Sequence, residues 1–157
     1  MLKFCPVGAT YSALSLRVVL GIIFIAHGGQ KVVGLWGGEG LEATILSFQQ
    51  HLGMPAVIAI LVSFTEFVGG IALVFGVLTR PAAVGIFAVM AGAMTIHWPN
   101  GLFMNWFMVP EQGHGFEYHL LAMAMALALF FSGGGAFSID ALLGKRQDCE
   151  TKKNCCS

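Results

Sequence analysis

The run Pro55-Ala56-Val57-Ile58-Ala59-Ile60-Leu61-Val62-Ser63-Phe64-Thr65-Glu66-Phe67-Val68-Gly69-Gly70-Ile71-Ala72-Leu73-Val74-Phe75-Gly76-Val77-Leu78 decides what kind of protein this is. Its 24 residues would make a helix about 36 Å long at ~1.5 Å per residue. A bilayer's hydrocarbon core of about 30 Å is crossed by such a helix. One ionisable side chain, Glu66, lies near the middle. An acid at that depth costs about 2.5–3.5 kcal/mol on insertion scales, so it is expected to face protein and to have a partner.

Three further apolar segments are expected to span with it: residues 13–33, 81–98 and 118–137. Pro81 suits a first helical turn, where its missing N–H costs nothing. Gly133-Gly134-Gly135 is expected to end the last span, with a short amphipathic segment from Ser138 to Leu143 after it. Composition agrees. The chain is 57% hydrophobic and 10% charged, with a mean hydropathy of +0.80, whereas a soluble domain carries about 25% charged residues. The expected fold class is all-α, an integral membrane four-helix bundle with two long outward loops. One membrane domain, 1–144, is expected, with a flexible cytoplasmic tail over 145–157. Zero net charge gives no electrostatic case for nucleic acid.

The connections are unequal. Residues 34–54 form a Gly-rich loop with a short helix expected through Leu41 to Leu52, and Thr79-Arg80 is a tight turn. Residues 99–117 form a second long loop whose Phe103, Trp106 and Phe107 suit the lipid–water interface. Lys3, Arg80, Lys145, Arg146, Lys152 and Lys153 lie on one side; the long loops hold Glu39, Glu42, Glu111 and Glu117 and no Lys or Arg. The positive-inside rule puts both termini in the cytoplasm of a bacterial inner membrane. The first span carries Arg17 and lacks a clean small-residue cleavage site, so it is expected to be retained rather than cleaved as a signal peptide.

Glu66 is the strongest functional candidate. It could transfer a proton or bind a cation or a ligand's polar group; it could equally be a protonated acid or half of a structural ion pair. Helical rise places His27 close to it in depth, with Lys31 one turn further outward on the same face. Arg17 is expected near the inner interface, reaching for phosphates. His97, His114, Glu117, Tyr118 and His119 converge from the outer side, and together with His27, Lys31 and Glu66 they could line an outward-facing polar cavity. Glu42 and His51 are weaker candidates. Imidazole and carboxylate suit a metal, but the spacing fits no ligand motif, and no metal is expected; hydrogen bonding is the preferred use of these histidines.

Cys5, Cys149, Cys155 and Cys156 all fall on the expected cytoplasmic side, where stable disulfides are disfavoured. No phosphate loop, dinucleotide fingerprint or C-x-x-C occurs. The small pairs Ala72/Gly76, Ala88/Gly92, Ala122/Ala126 and Ala124/Ala128 are expected to bring helices together inside the bundle.

Leu16-Arg17-Val18-Val19-Leu20-Gly21, Phe24 and His27-Gly28-Gly29-Gln30-Lys31 resemble the first span of the DoxX family. Glu66, Gly69-Gly70, Leu73, Gly76 and Thr79-Arg80-Pro81-Ala82-Ala83 resemble its second span and turn. His97-Trp98, Glu117 and Gly133-Gly134-Gly135-Ala136-Phe137-Ser138-Ile139-Asp140 complete the likeness over residues 12–143. The resemblance implies a four-helix bacterial inner-membrane protein. It also implies a link to thiosulfate:quinone oxidoreductase or to redox-stress complexes. A quinone-linked oxidoreductase component is the leading expectation: Glu66 and His27 would serve the chemistry, while Lys31, His97, Glu117 and His119 bind the ligand. Quinone would be the cofactor, and lipid, a soluble redox enzyme and a second copy the partners. Two alternatives stay open: a non-enzymatic module binding a small molecule, lipid or protein, and a small proton-coupled transporter.

Overall fold

A computed structural model describes residues 11–109 and 113–143; the four cysteines and the 145–157 tail lie outside the described residues. Among the described residues five helices run in order, α1 (Tyr11–Val32), α2 (Gly40–Leu52), α3 (Ala56–Phe75), α4 (Thr79–His97) and α5 (Glu117–Ser132), and residues 139–143 are helical as well. Short 3-10 turns, Leu35–Gly37 and Trp98–Asn100, flank the two long connections, and no strand occurs among the described residues.

The faces of α3 are inverted relative to a soluble helix. Val57, Leu61, Phe64, Val68 and Phe75 are exposed, while Ala59, Ser63, Glu66, Gly69, Gly70 and Leu73 are buried. Bulky apolar groups point away from the protein; small and polar groups point into it. Only an apolar solvent rewards that arrangement, so lipid surrounds this helix. Three segments, Tyr11–Val32, Ala56–Phe75 and Thr79–Asn100, are long and apolar enough to cross a membrane.

The fourth expected span is corrected at its far end. α5 has 16 residues, about 24 Å at ~1.5 Å per residue, and stops at Ser132 rather than running to residue 137. Gly133 takes a φ of +70°, in the left-handed region, and its N–H closes on Leu129 O at 2.8 Å. A residue with a side chain would resist that conformation, so the glycine run sets the stop.

α1 lies along α3, α3 against α4, α4 along α5, and α5 returns to α1 with a smaller contact; α2 rests on α1 and α3. The closest approach is between α1 and α3. A Cβ on Gly28 would lie 2.6 Å from Phe67 Cα, and one on Gly21 would lie 2.7 Å from Gly70 O. The small pairs singled out in the sequence are only partly used in this way. Ala122 and Ala126 are buried at α4, but Ala88, Gly92, Ala124 and Ala128 lie on exposed faces. Gly28→Ala should therefore destabilise the protein by about 1–3 kcal/mol through overpacking. Gly92→Ala, with nothing within 4 Å of the new carbon, should be neutral or stabilising. Unfolding midpoints of the two variants in detergent check this; equal shifts would refute the assigned interface.

At the opposite end from Lys31, Arg17 is not an interfacial anchor. It is 1% exposed. Its Nη1 donates to Leu73 O and Val74 O at 3.2 and 2.5 Å, and its Nη2 donates to Ala136 O and Phe137 O at 2.9 and 2.8 Å. The last carbonyls of α3 have no partner within their own helix, and a guanidinium satisfies them while opposing the helix dipole. Its planar fork reaches two chain segments at once. Asp140 completes the lock. Its carboxylate accepts from Leu78 N at 2.9 Å and Thr79 N at 2.8 Å, capping α4 from the far end of the chain, while Asp140 N donates to Gly76 O at 3.0 Å.

Candidate functional site

The inward face of α3 carries Glu66 into protein because residues 59, 63, 66, 70 and 73 share one side of a 3.6-residue helix. Facing it, α1 presents Lys31. Lys31 Nζ lies 2.6 Å from Glu66 Oε2, with side-chain exposures of 27% and 4%. The acid is thus shut in, and its cation sits at the rim. α2 covers that rim: Thr44 Oγ1 donates to Lys31 O at 3.3 Å, and the Phe48 ring centroid lies 5.9 Å from Lys31 Nζ. Between α2 and the end of α1 opens a cleft of about 280 Å³, lined by Gln30, Lys31, Gly38, Thr44, Ser47 and Phe48 among others.

Lys31 takes Glu66 as its partner; His27, one turn earlier, is exposed, and its ring lies 6.1 Å from that of Tyr118. The Tyr118 hydroxyl is buried and has no hydrogen-bond partner. A buried hydroxyl left without a partner costs about 1–3 kcal/mol, so Tyr118 is held there by the packing of α5 against α1 and is a donor ready for an oxygen acceptor.

The other candidates gather at the top of α4 and α5. The rings of His97 and His119 stack at 4.8 Å. His97 Nδ1 lies 3.1 Å from His114 O, which also accepts from Asn100 Nδ2 at 3.0 Å. Glu117 Oε2 accepts from Met104 N at 3.3 Å, tying the long loop to the start of α5. His119 is buried, beside the Phe116 carbonyl but without a well-formed hydrogen bond at Nδ1. Glu42 and His51 are exposed on α2. No three of His, Cys, Asp and Glu among the described residues come together as a metal site. Two groups result, the Lys31–Glu66 pair with His27 and Tyr118, and His97, His119, His114 and Glu117 around the second long loop; the Tyr118 and His119 rings, 5.7 Å apart and edge to face, join them. Tyr118, named in the sequence among the polar groups at the start of the fourth span, sits with its ring toward His27 of α1.

These features define a membrane protein that buries one short ion pair among lipid-facing helices. The DoxX family model matches residues 12–98, and the chain belongs to the DoxX family. It is 31% identical to the "Putative oxidoreductase CatD" of Bacillus subtilis over 84% of this chain and 87% of that protein. It is 32% identical to the "Inner membrane protein YqjF" of Escherichia coli over 85% of this chain and 92% of that protein. The "Uncharacterized membrane protein Rv3486" of Mycobacterium tuberculosis is 29% identical over 86% of this chain and 83% of that protein. No solved structure matches the chain.

Proposed function

We propose that this chain is a quinone-linked subunit of a bacterial inner-membrane oxidoreductase, built as a four-helix bundle with both termini in the cytoplasm. The observation that carries the reading is the Lys31–Glu66 pair, 2.6 Å across, with the acid 4% exposed. The name of the Bacillus subtilis relative points the same way. A quinone, when bound, supplies the electron chemistry. The residues suit its carbonyl oxygens: Lys31 and Tyr118 are donors, and Glu66 is the acid paired with Lys31. Lys31, at the rim of the α2 cleft, orients the ligand. Glu66 holds or takes the proton that accompanies electron transfer. His27, exposed beside Tyr118, connects that proton to the surface. The lipid wall keeps bulk water from the acid. Electrons come from a soluble redox partner on the side of the long loops.

The shortness of the pair favours a second reading, in which Lys31 and Glu66 are a structural contact in a non-enzymatic binding module. Purified protein in nanodiscs containing decylubiquinone separates the two. The first reading expects quinone reduction with thiosulfate or a thiol as donor, and a fall in kcat of about 10²-fold or more in Glu66→Gln. Turnover unchanged in Glu66→Gln hands the pair to the second reading. No bound quinone and no quinone-dependent activity end the first.

A further inference from the structure

We infer that residues 102–109 form a pre-built apolar hairpin tip that inserts into the interfacial layer of the bilayer, making lipid its binding partner. Phe103, Trp106, Phe107 and Met108 are 73%, 74%, 91% and 76% exposed. No charged residue occurs between Gly101 and Val109. A surface this apolar standing in water would be a liability rather than a loop.

What suits it to lipid is its backbone. Irregular chain enters a membrane only where its polar groups are satisfied. Here the turn satisfies part of them from within, and the water of the interfacial layer serves the rest. Asn105, 8% exposed, donates from Nδ2 to Val109 O at 3.0 Å and accepts at Oδ1 from Val109 N at 2.9 Å. Trp106 N reaches Met104 O at 2.9 Å. The base is tied as well: Glu117 N donates to Leu102 O at 2.8 Å, Gly115 N to Phe103 O at 3.1 Å, and Met104 N to the Glu117 carboxylate. The one polar side chain of the tip is turned inward to brace it, and the apolar side chains are turned out.

Lipid, rather than another protein, is the occupant for two reasons. The tip is tied to the start of α5, where Leu120 and Leu121 stand outward as well. Residues 102–109 also carry no charged side chain for a protein partner to pair with, while Trp is the side chain that favours the headgroup boundary. Anchored there, the loop would hold the start of α5, and so Tyr118 and His119, at fixed depth.

Tryptophan fluorescence tests this with the full chain in phosphatidylcholine vesicles. The difference between wild type and Trp106→Phe isolates the Trp106 emission without disturbing Trp36 or Trp98. In vesicles brominated at carbons 6 and 7 of one acyl chain, most of that difference emission should be lost. A variant with Trp106 as the sole tryptophan, Trp36→Phe with Trp98→Phe, gives the same measurement directly. Retained emission overturns the inference. If acrylamide then quenches it, the tip stands in water; if acrylamide does not, a protein surface or a second copy covers it.

Discussion

Arg17→Ala is expected to be among the most damaging single substitutions in this chain, lowering stability by about 2–5 kcal/mol through the cavity and the carbonyls left unsatisfied. The guanidinium is 1% exposed and donates to four carbonyl oxygens from two segments, the end of α3 and the 133–138 loop. Leu73 O keeps its bond from Gly76 N at 3.1 Å, but removing the guanidinium strands the Val74, Ala136 and Phe137 carbonyls where water is scarce, at about 1–3 kcal/mol for a buried unsatisfied group, and leaves a cavity besides. The effects overlap, so they do not add in full. Arg17→Lys should recover only part of the loss, because an ammonium is a point charge without the fork that spans both segments. Unfolding in a mixed detergent system measures the stability, and limited proteolysis after Phe137 reports whether the loop has come free. An anchor reaching for phosphates would behave differently: its loss would cost a few tenths of a kcal/mol, as most surface changes do. A small effect on both readouts would remove Arg17 from the core of the structure.

The second large effect is asymmetric. Lys31→Ala leaves Glu66, 4% exposed, with no counter-ion, and breaking a buried pair in this way costs about 3–5 kcal/mol. Glu66→Gln leaves the charge on Lys31 instead, whose side chain is 27% exposed and can turn to the α2 cleft. It should therefore cost much less. The double variant Lys31→Ala/Glu66→Gln should be more stable than Lys31→Ala alone, because it no longer buries a lone charge. Full additivity of the two single changes would mean that the groups do not interact, against the 2.6 Å contact. The same four proteins separate stability from chemistry. Under the proposed function, the double variant regains the fold but not the quinone reduction, since the acid that handles the proton is gone.

Much of the architecture was legible along the chain because lipid leaves a one-dimensional signature. A helix in hydrocarbon must satisfy its own backbone, so spans appear as long apolar runs, and 13–33, 55–78 and 81–98 fall on α1, α3 and α4 within a few residues. The short helix in the first loop and the glycine stop after α5 were also readable from local signals, Gly53 and Gly133 both taking positive φ. The stop came earlier than residue 137, because the first glycine of the run already ends the helix.

The site was less legible. Glu66 declared itself by being an acid in an apolar run, and the i, i+4 spacing of His27 and Lys31 put both on one face. Which of the two meets the acid depends on how deeply α1 and α3 interlock, and that is set by Gly21, Gly28 and Gly70 at the crossing rather than by helical rise alone. The small-residue spacing in the sequence could not rank these glycines above Ala88 and Gly92, because the same spacing serves lipid-facing and protein-facing sides alike. The unpartnered Tyr118 hydroxyl became visible only when α5 was set against α1.

By itself, the sequence determined the solvent, the helices and the one acid that must be hidden, since each follows from transfer energies that act residue by residue. The tertiary structure decided the partners: Lys31 for Glu66, four carbonyls for Arg17, and Asp140 for the start of α4. Those pairings join groups separated by 35 to 120 residues. Their energy comes from distance and desolvation in three dimensions, which no local pattern along a chain records.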